Sequence, residues 1–140
     1  MTVKRVGVDE ARKLLGEEGY AYLDVRTVRE FDEGHPEGAY NVPIAEMGRA
    51  NPDFVAIVKA TFPTDAKLVV GCKTGSRSLR AAEILLSQGY TDIVDLRPGI
   101  LGAMDPFGRV TEPGWQPAGA PVSKTALAGR TYAELAQKKG

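Results

Sequence analysis

Residues 67–78 read KLVVGCKTGSRS, and this stretch decides the fold. Residues 67–71 form a β-branched apolar run without polar alternation, which predicts a strand covered on both faces. Apolar residues then recur at helical spacing over 79–86, and residues 92–96, DIVDL, read as a further strand. A strand, a helix and a strand form a βαβ unit, whose strands are parallel and joined by a right-handed crossover. We therefore predict an α/β fold with a small central parallel sheet and helices on both faces.

The alternation of helices and strands also extends upstream of this unit. We expect a helix capped by Asp9, a strand over 20–23, an extended piece over 40–43 and a helix over 53–62. Thr27 and Glu30 have the spacing of a capping box that opens a short helix. The core is expected to lie within about residues 6–100 of a single domain, 1–140.

The downstream part of the chain has a different composition. Gly and Pro dominate residues 101–130, which we expect to form a rim or lid across one end of the sheet, anchored by Trp115. Thr131 and Glu134 form a second capping box, which predicts a C-terminal helix over 131–139.

Composition excludes several classes of protein. Eighteen Lys and Arg balance eighteen Asp and Glu, so we expect neither nucleic acid nor a membrane as partner. No apolar run approaches the ~20 residues that cross a bilayer, and no signal peptide opens the chain, so we predict a cytoplasmic protein. One cysteine and one histidine exclude an internal disulfide and a zinc module, and we expect no metal and no cofactor.

Cys72 lies where the carboxyl end of the predicted central strand meets the next helix, the usual ligand edge of a parallel sheet. Gly75 can adopt a positive φ, and small neighbours let backbone N–H groups converge, so the loop is a predicted anion cradle. The predicted substrate-binding residues are Lys73, Thr74, Gly75, Ser76 and Arg77. The N–H groups, the helix dipole and the charges of Lys73 and Arg77 favour a thiolate over a thiol. We predict that Cys72 is a nucleophile in contact with water, the alternative being an inert buried cysteine.

The order of the motifs resembles the single-domain rhodanese-like sulfurtransferases over about residues 6–121. The motifs are Leu23-Asp24-Val25-Arg26, Glu30-Phe31, the run GHPEGAYNVP over 34–43 and the Cys72 loop. The resemblance implies that Cys72 accepts a sulfane sulfur from a small donor such as thiosulfate and holds it as a persulfide. It also implies transfer to cyanide or a thiol, or to a protein acceptor, with a structural role for Arg26 and a loop-ordering role for His35.

Supporting roles near the loop have alternatives. Arg77 contacts an anionic donor or forms a salt bridge to Asp24 or Glu30. Asp24 either supports the site or caps the turn that follows its strand, and Glu30 is assigned to the capping box rather than to catalysis. Gly71 replaces a bulkier residue common in the family, which is expected to leave Cys72 less shielded.

Other functions fit the sequence less well. Cysteine phosphatases and arsenate reductases of related fold use Cys-x5-Arg, whereas Cys72 and Arg77 have the shorter Cys-x4-Arg spacing, which is cramped for phosphate. A sulfur carrier or regulatory binding module without substantial turnover is the nearer alternative.

Overall fold

The computed structural model describes residues 2–138. The helices are α1 Val8–Glu17, α2 Val28–Glu33, α3 Phe54–Thr61, α4 Ser76–Ser87 and α5 Tyr132–Ala136. The strands are β1 Lys4–Val6, β2 Ala21–Asp24, β3 His35–Pro36, β4 Tyr40–Asn41, β5 Ala45–Glu46, β6 Arg49–Ala50, β7 Lys67–Gly71, β8 Asp92–Leu96, β9 Gly102–Met104, β10 Val110–Pro113 and β11 Val122–Ser123.

A five-stranded sheet forms the centre, in the order β1-β8-β7-β2-β4, and its neighbouring strands are all parallel. β7 and β8 occupy the predicted positions 67–71 and 92–96. β1 is an edge strand that the sequence analysis did not identify, because its three residues are too few to show a periodicity.

The two faces of the sheet carry separate apolar layers. One layer includes Ile57 of α3, Leu85 of α4 and Leu135 of α5, and the other includes Leu14 of α1 and Phe31 of α2. The predicted α/β architecture with helices on both faces is therefore confirmed. No helix within residues 2–138 has the length and apolar character needed to cross a membrane.

Both predicted capping boxes are present, but the predicted start of α1 is wrong. The Thr27 hydroxyl accepts from the Glu30 N–H, and Thr131 does the same for Glu134. α1 begins at Val8, one residue before the predicted cap, because the Ala11 N–H donates to the Gly7 carbonyl at 3.0 Å and Gly7 is therefore the cap. Asp9 therefore lies in the first turn, where its charge favours the amino end of the helix.

The Gly- and Pro-rich segment packs beside the Cys72 loop. Residues 102–113 form the β9 and β10 hairpin, which Arg97 fastens by donating from Nε to Glu112 Oε1 at 2.7 Å. Trp115 is buried and donates from Nε1 to the Pro121 carbonyl at 2.7 Å, which confirms its role as an anchor. The predicted C-terminal helix is shorter than expected, since α5 ends at Ala136, and position 139 lies outside the described residues.

Candidate active site

Cys72 directly follows β7 at the carboxyl edge of the sheet, as predicted. Its carbonyl accepts from the Ile100 N–H at 2.9 Å, and the Lys73 carbonyl accepts from the Leu101 N–H at 2.9 Å. The segment after β8 therefore holds the backbone on which Cys72 stands. Gly75 caps α4 in the left-handed region with φ of +101°, as the sequence analysis anticipated.

Two backbone N–H groups converge on the sulfur. The Gly75 N–H lies 3.2 Å from Cys72 Sγ and the Ser78 N–H lies 3.3 Å from it. The thiol itself donates to Ser78 Oγ at 3.3 Å. A side chain at position 75 would collide with the Arg97 carbonyl, so both φ and the close approach require glycine there. This arrangement can stabilise negative charge on sulfur, because N–H donors at the amino end of a helix favour an anion.

Cys72 is nevertheless buried, and the expectation that it lies open to water is wrong. Its exposed fraction is 1%. Gly71 does not open the site either, because the Tyr22 side chain occupies the space that a Cβ at position 71 would need. Burial, followed by the nearby Asp24 carboxylate, raises the pKa of Tyr22 well above its ordinary range.

Arg77 forms a salt bridge with Glu30, one of the two carboxylates that the sequence analysis considered as its partner. Its Nη1 and Nη2 donate to the two carboxylate oxygens at 2.7 and 3.0 Å. The Arg77 hydrogen bonds are the largest cause that lowers the pKa of Glu30 to about 2, and burial opposes them. Glu30 also accepts from the Thr27 N–H at 3.1 Å, so one carboxylate both caps α2 and holds Arg77.

Asp24 pairs with Arg26 rather than with Arg77. Arg26 donates from Nη2 to Asp24 Oδ2 at 2.8 Å, and its backbone N–H donates to Asp24 Oδ1 at 3.0 Å. Asp24 thus caps the backbone after β2. Arg26 also donates from Nη2 to the Gly34 carbonyl at 2.7 Å. His35 is buried against the Phe31 ring with Nδ1 2.8 Å from the Phe31 carbonyl, a loop-ordering position.

The remaining loop residues lie around the sulfur without the contacts that Gly75 makes. Lys73 and Ser76 are exposed and Thr74 is half-buried. Within residues 2–138, Gly75 is the only predicted substrate-binding residue that forms a hydrogen bond with Cys72 Sγ.

Sequence reasoning missed Ser78, Asp95 and Arg5. Ser78 and Asp95 are fully buried, and Arg5 donates from Nε to Asp95 Oδ2 at 2.7 Å. One signal was present, because Asp95 interrupts an apolar strand and a buried carboxylate needs a partner. The identity of that partner depends on strand register, and Arg5 stands opposite Asp95 between β1 and β8.

Comparison with known proteins finds a family and relatives for this chain. A family profile described as "Rhodanese-like domain" matches residues 7–103. "Thiosulfate sulfurtransferase 16, chloroplastic" of Arabidopsis thaliana is 42% identical over 85 residues, which are 58% of this chain and 71% of that protein. "Thiosulfate sulfurtransferase 18" of the same plant is 38% identical over 109 residues, 74% of this chain and 79% of that protein.

The fold is also that of a solved structure. The crystal structure of Rv0390 from M. tuberculosis matches with a TM-score of 0.75 over 89% of this chain and 100% of that chain, at 24% identity. At that identity the likeness concerns the fold alone. Senescence-associated protein DIN1 of Raphanus sativus is 41% identical over 98 residues, which are 67% of this chain and 53% of that protein.

Proposed function

The chain belongs to the rhodanese-like domain family, and from that premise we propose that it is a sulfurtransferase with Cys72 as its nucleophile. Relatives named thiosulfate sulfurtransferases support sulfur transfer as the class of activity. The observation that carries the proposal is the pair of N–H groups, from Gly75 and Ser78, within 3.3 Å of the sulfur. Thiosulfate is the proposed donor, and cyanide, a small thiol or a protein thiol is the proposed acceptor.

The proposed transfer proceeds in two displacements. The Cys72 thiolate attacks the outer sulfur of thiosulfate, a new S–S bond forms, and sulfite leaves with the electron pair of the broken S–S bond. The persulfide carries its negative charge on the outer sulfur, and the two N–H donors at Sγ stabilise the Cys72 thiolate before the attack and after the outer sulfur is released. Cyanide attacks the terminal sulfur, thiocyanate leaves, and the Cys72 thiolate is restored. No oxidant or reductant from outside is consumed.

Burial of Cys72 places one requirement on this chemistry. Because Cys72 is 1% exposed, a donor requires the residues that cover the sulfur to move. Such opening is an ordinary gating step for loops at active sites. We therefore propose that loop opening limits the rate of sulfur uptake, and that compact donors react faster than bulky ones.

The test is the intact mass after incubation with thiosulfate. The expected result is a gain of one sulfur atom, which cyanide removes as thiocyanate, and no gain in Cys72→Ser, the matched control. A properly folded protein that gains no sulfur from thiosulfate or from a low-molecular-weight persulfide would overturn the proposal. Arg77→Ala is expected to slow uptake because it frees Glu30, whose unpaired carboxylate repels anionic donors.

A binding or regulatory module is the second candidate, and the burial of Cys72 is the observation that favours it. This candidate predicts a stable fold with no sulfur gain. A phosphatase is disfavoured, because the arginine that would hold phosphate is bound to Glu30 in a short loop. Hydrolysis of an aryl phosphate that disappears in Cys72→Ser would reverse that ranking. The cytoplasm stays the predicted location.

A further inference from the structure

A buried ion pair lies behind the Cys72 loop and has no part in the function proposed so far. Asp95 lies on β8 and is 0% exposed. Arg5 contacts it from β1, and the Arg5 side chain is 34% exposed. Burial raises the pKa of Asp95, and the Ser78 hydroxyl and the Arg5 guanidinium oppose that rise. Its second oxygen, Oδ1, makes no hydrogen bond of good geometry within residues 2–138. A buried carboxylate so incompletely satisfied is costly, which calls for a reason for its presence.

Arg5 connects Asp95 to the first N–H donor. While Nε is held by Asp95, Nη2 donates to the Gly75 carbonyl at 3.1 Å. The guanidinium is a rigid planar fork, so fixing one nitrogen orients the other. Gly75 needs such a constraint, because glycine at a positive φ has more freedom than any other residue. Arg5 therefore fixes the residue whose N–H lies 3.2 Å from Cys72 Sγ.

Ser78 supplies the second donor, a backbone N–H at 3.3 Å from Sγ. Its hydroxyl donates to the Gly75 carbonyl at 3.5 Å and accepts from the Cys72 thiol at 3.3 Å. The Gly75 carbonyl therefore accepts from both Arg5 and Ser78.

We propose that Asp95 is the positioning residue of the Cys72 cradle, acting through Arg5 on Gly75, whose carbonyl also accepts from the Ser78 hydroxyl. The inference rests on the proposed function for its consequence in sulfur transfer. The positioning of the thiolate can be measured separately. Asp95 acts through other residues and is not itself a catalytic residue.

The direction in which the ionisation of Cys72 moves, when Asp95 is neutralised, distinguishes positioning from simple repulsion between charges. A carboxylate that merely stood near the thiolate would disfavour it, so neutralising Asp95 would lower the pH at which Cys72 ionises. If Asp95 instead positions the donors, neutralising it loosens them and the ionisation of Cys72 moves to higher pH.

Other charged and titratable groups interact with Cys72 and Asp95, and substituting Asp95 leaves those groups in place. Arg77 on α4 and Tyr22 on β2 interact electrostatically with Cys72. Arg97, after β8, and Tyr22 also act on Asp95. The comparison of variants therefore reports the loss of Asp95 alone.

The experiment is a pH titration of the thiolate absorbance in the ultraviolet, with the spectrum of Cys72→Ser subtracted. Because Cys72 is the one cysteine of the chain, the difference signal belongs to it. In Asp95→Asn the midpoint is expected to rise by about one pH unit, the effect of weakening a hydrogen bond to a charged group. A midpoint that falls or stays in place while the thermal transition is retained would overturn the inference.

Two further variants keep the test decisive should Asp95→Asn fail to fold. Arg5→Lys keeps the charge but lacks the fork, so it cannot hold Asp95 and the Gly75 carbonyl together, and the midpoint is expected to rise. Ser78→Ala removes the hydroxyl and keeps the backbone N–H, with a smaller rise expected. An unchanged midpoint in Arg5→Lys would overturn the proposal that Arg5 fixes Gly75 by binding both Asp95 and the Gly75 carbonyl.

The matched control is Glu10→Gln. Glu10 of α1 pairs at 3.3 Å with Lys4, which lies on β1 beside Arg5. Both side chains of this pair are exposed, so the midpoint is expected to stay unchanged. Sulfur uptake from thiosulfate is measured in parallel, as a separate test of the proposed function. A shifted midpoint in a protein that never gains sulfur would support the positioning and overturn the proposed function. Uptake with no shift in any variant would do the reverse.

Discussion

Glu30→Gln removes the charge that holds Arg77 while it preserves the local structure of α2. Glutamine at this position can still accept from the Thr27 N–H, since a capping box is formed by Glu or Gln alike. The substitution therefore isolates the ion pair with Arg77 from the helix cap. It reports how firmly the loop arginine is fixed.

The magnitude follows from the pKa of Glu30, which is lowered from 4.5 to about 2. That difference corresponds to an upper bound of about 3 kcal/mol of stability. Solvent reduces it to about 1–2 kcal/mol, because the two side chains are 25% and 33% exposed. Since the folded-state pKa lies below the ordinary value, the stabilisation is present above pH 4.5 and is lost as the pH falls toward 2.

The assay is urea unfolding followed by the fluorescence of Trp115, at pH 7 and at steps down to pH 3. The unsubstituted protein is expected to exceed Glu30→Gln by about 1–2 kcal/mol at pH 7, and the gap should narrow below pH 4.5. Glu33→Gln is the control on the same helix, where an exposed pair with Arg29 at 3.9 Å contributes little. A gap that is absent at pH 7, or that persists unchanged to pH 3, would refute the reasoning.

Three further substitutions test the packing around the site by the same unfolding assay. Gly75→Ala is expected to lower the free energy of unfolding by at least about 2 kcal/mol, since alanine is strained at a φ of +101° and meets the Arg97 carbonyl. Gly19→Ala, with φ of +77° and no atom within 4 Å, should cost only about 1 kcal/mol, and equal losses would contradict the argument. Arg26→Met leaves the buried Asp24 carboxylate unpaired and should cost about 3–5 kcal/mol, so a loss below 1 kcal/mol would count against it. Tyr22→Phe removes a buried hydroxyl that has no partner within residues 2–138, and stability should stay level or rise by up to about 1 kcal/mol; a clear loss would reveal a bond to water.

Local patterns predicted the elements that depend on local interactions. β7 carries a continuous apolar run and β8 carries three apolar residues among its five, and the predicted bounds match the strands that the structure shows. The two capping boxes were predictable because a side chain and a backbone group three residues apart satisfy each other. Gly75 was predictable because a nucleophile between a strand and a helix needs a left-handed turn after it.

Partners distant along the chain could not be predicted in the same way. Arg77 and Glu30 are 47 residues apart, and the sequence analysis left both Asp24 and Glu30 open as the partner. Arg5 and Asp95 are 90 residues apart and meet because the register of β1 on β8 sets them opposite each other. Register is fixed by the packing of whole faces rather than by any one residue, so pair identities appear only once the sheet is assembled.

The charges at the carboxyl edge of the sheet cancel in pairs, which changes the account of how the sulfur would be held as an anion. The pairs are Asp24 with Arg26, Glu30 with Arg77 and Asp95 with Arg5. An arginine bound to a carboxylate contributes little net field at a third site, so Arg77 favours the thiolate less than the sequence analysis expected when it counted its charge beside the N–H groups. Lys73 is exposed, where solvent and salt weaken its charge. The donors to Cys72 Sγ within residues 2–138 are the N–H groups of Gly75 and Ser78 at the amino end of α4. Stabilisation of the sulfur anion therefore depends on the shape of the loop and on the residues that fix that shape, more than on the number of cations around it.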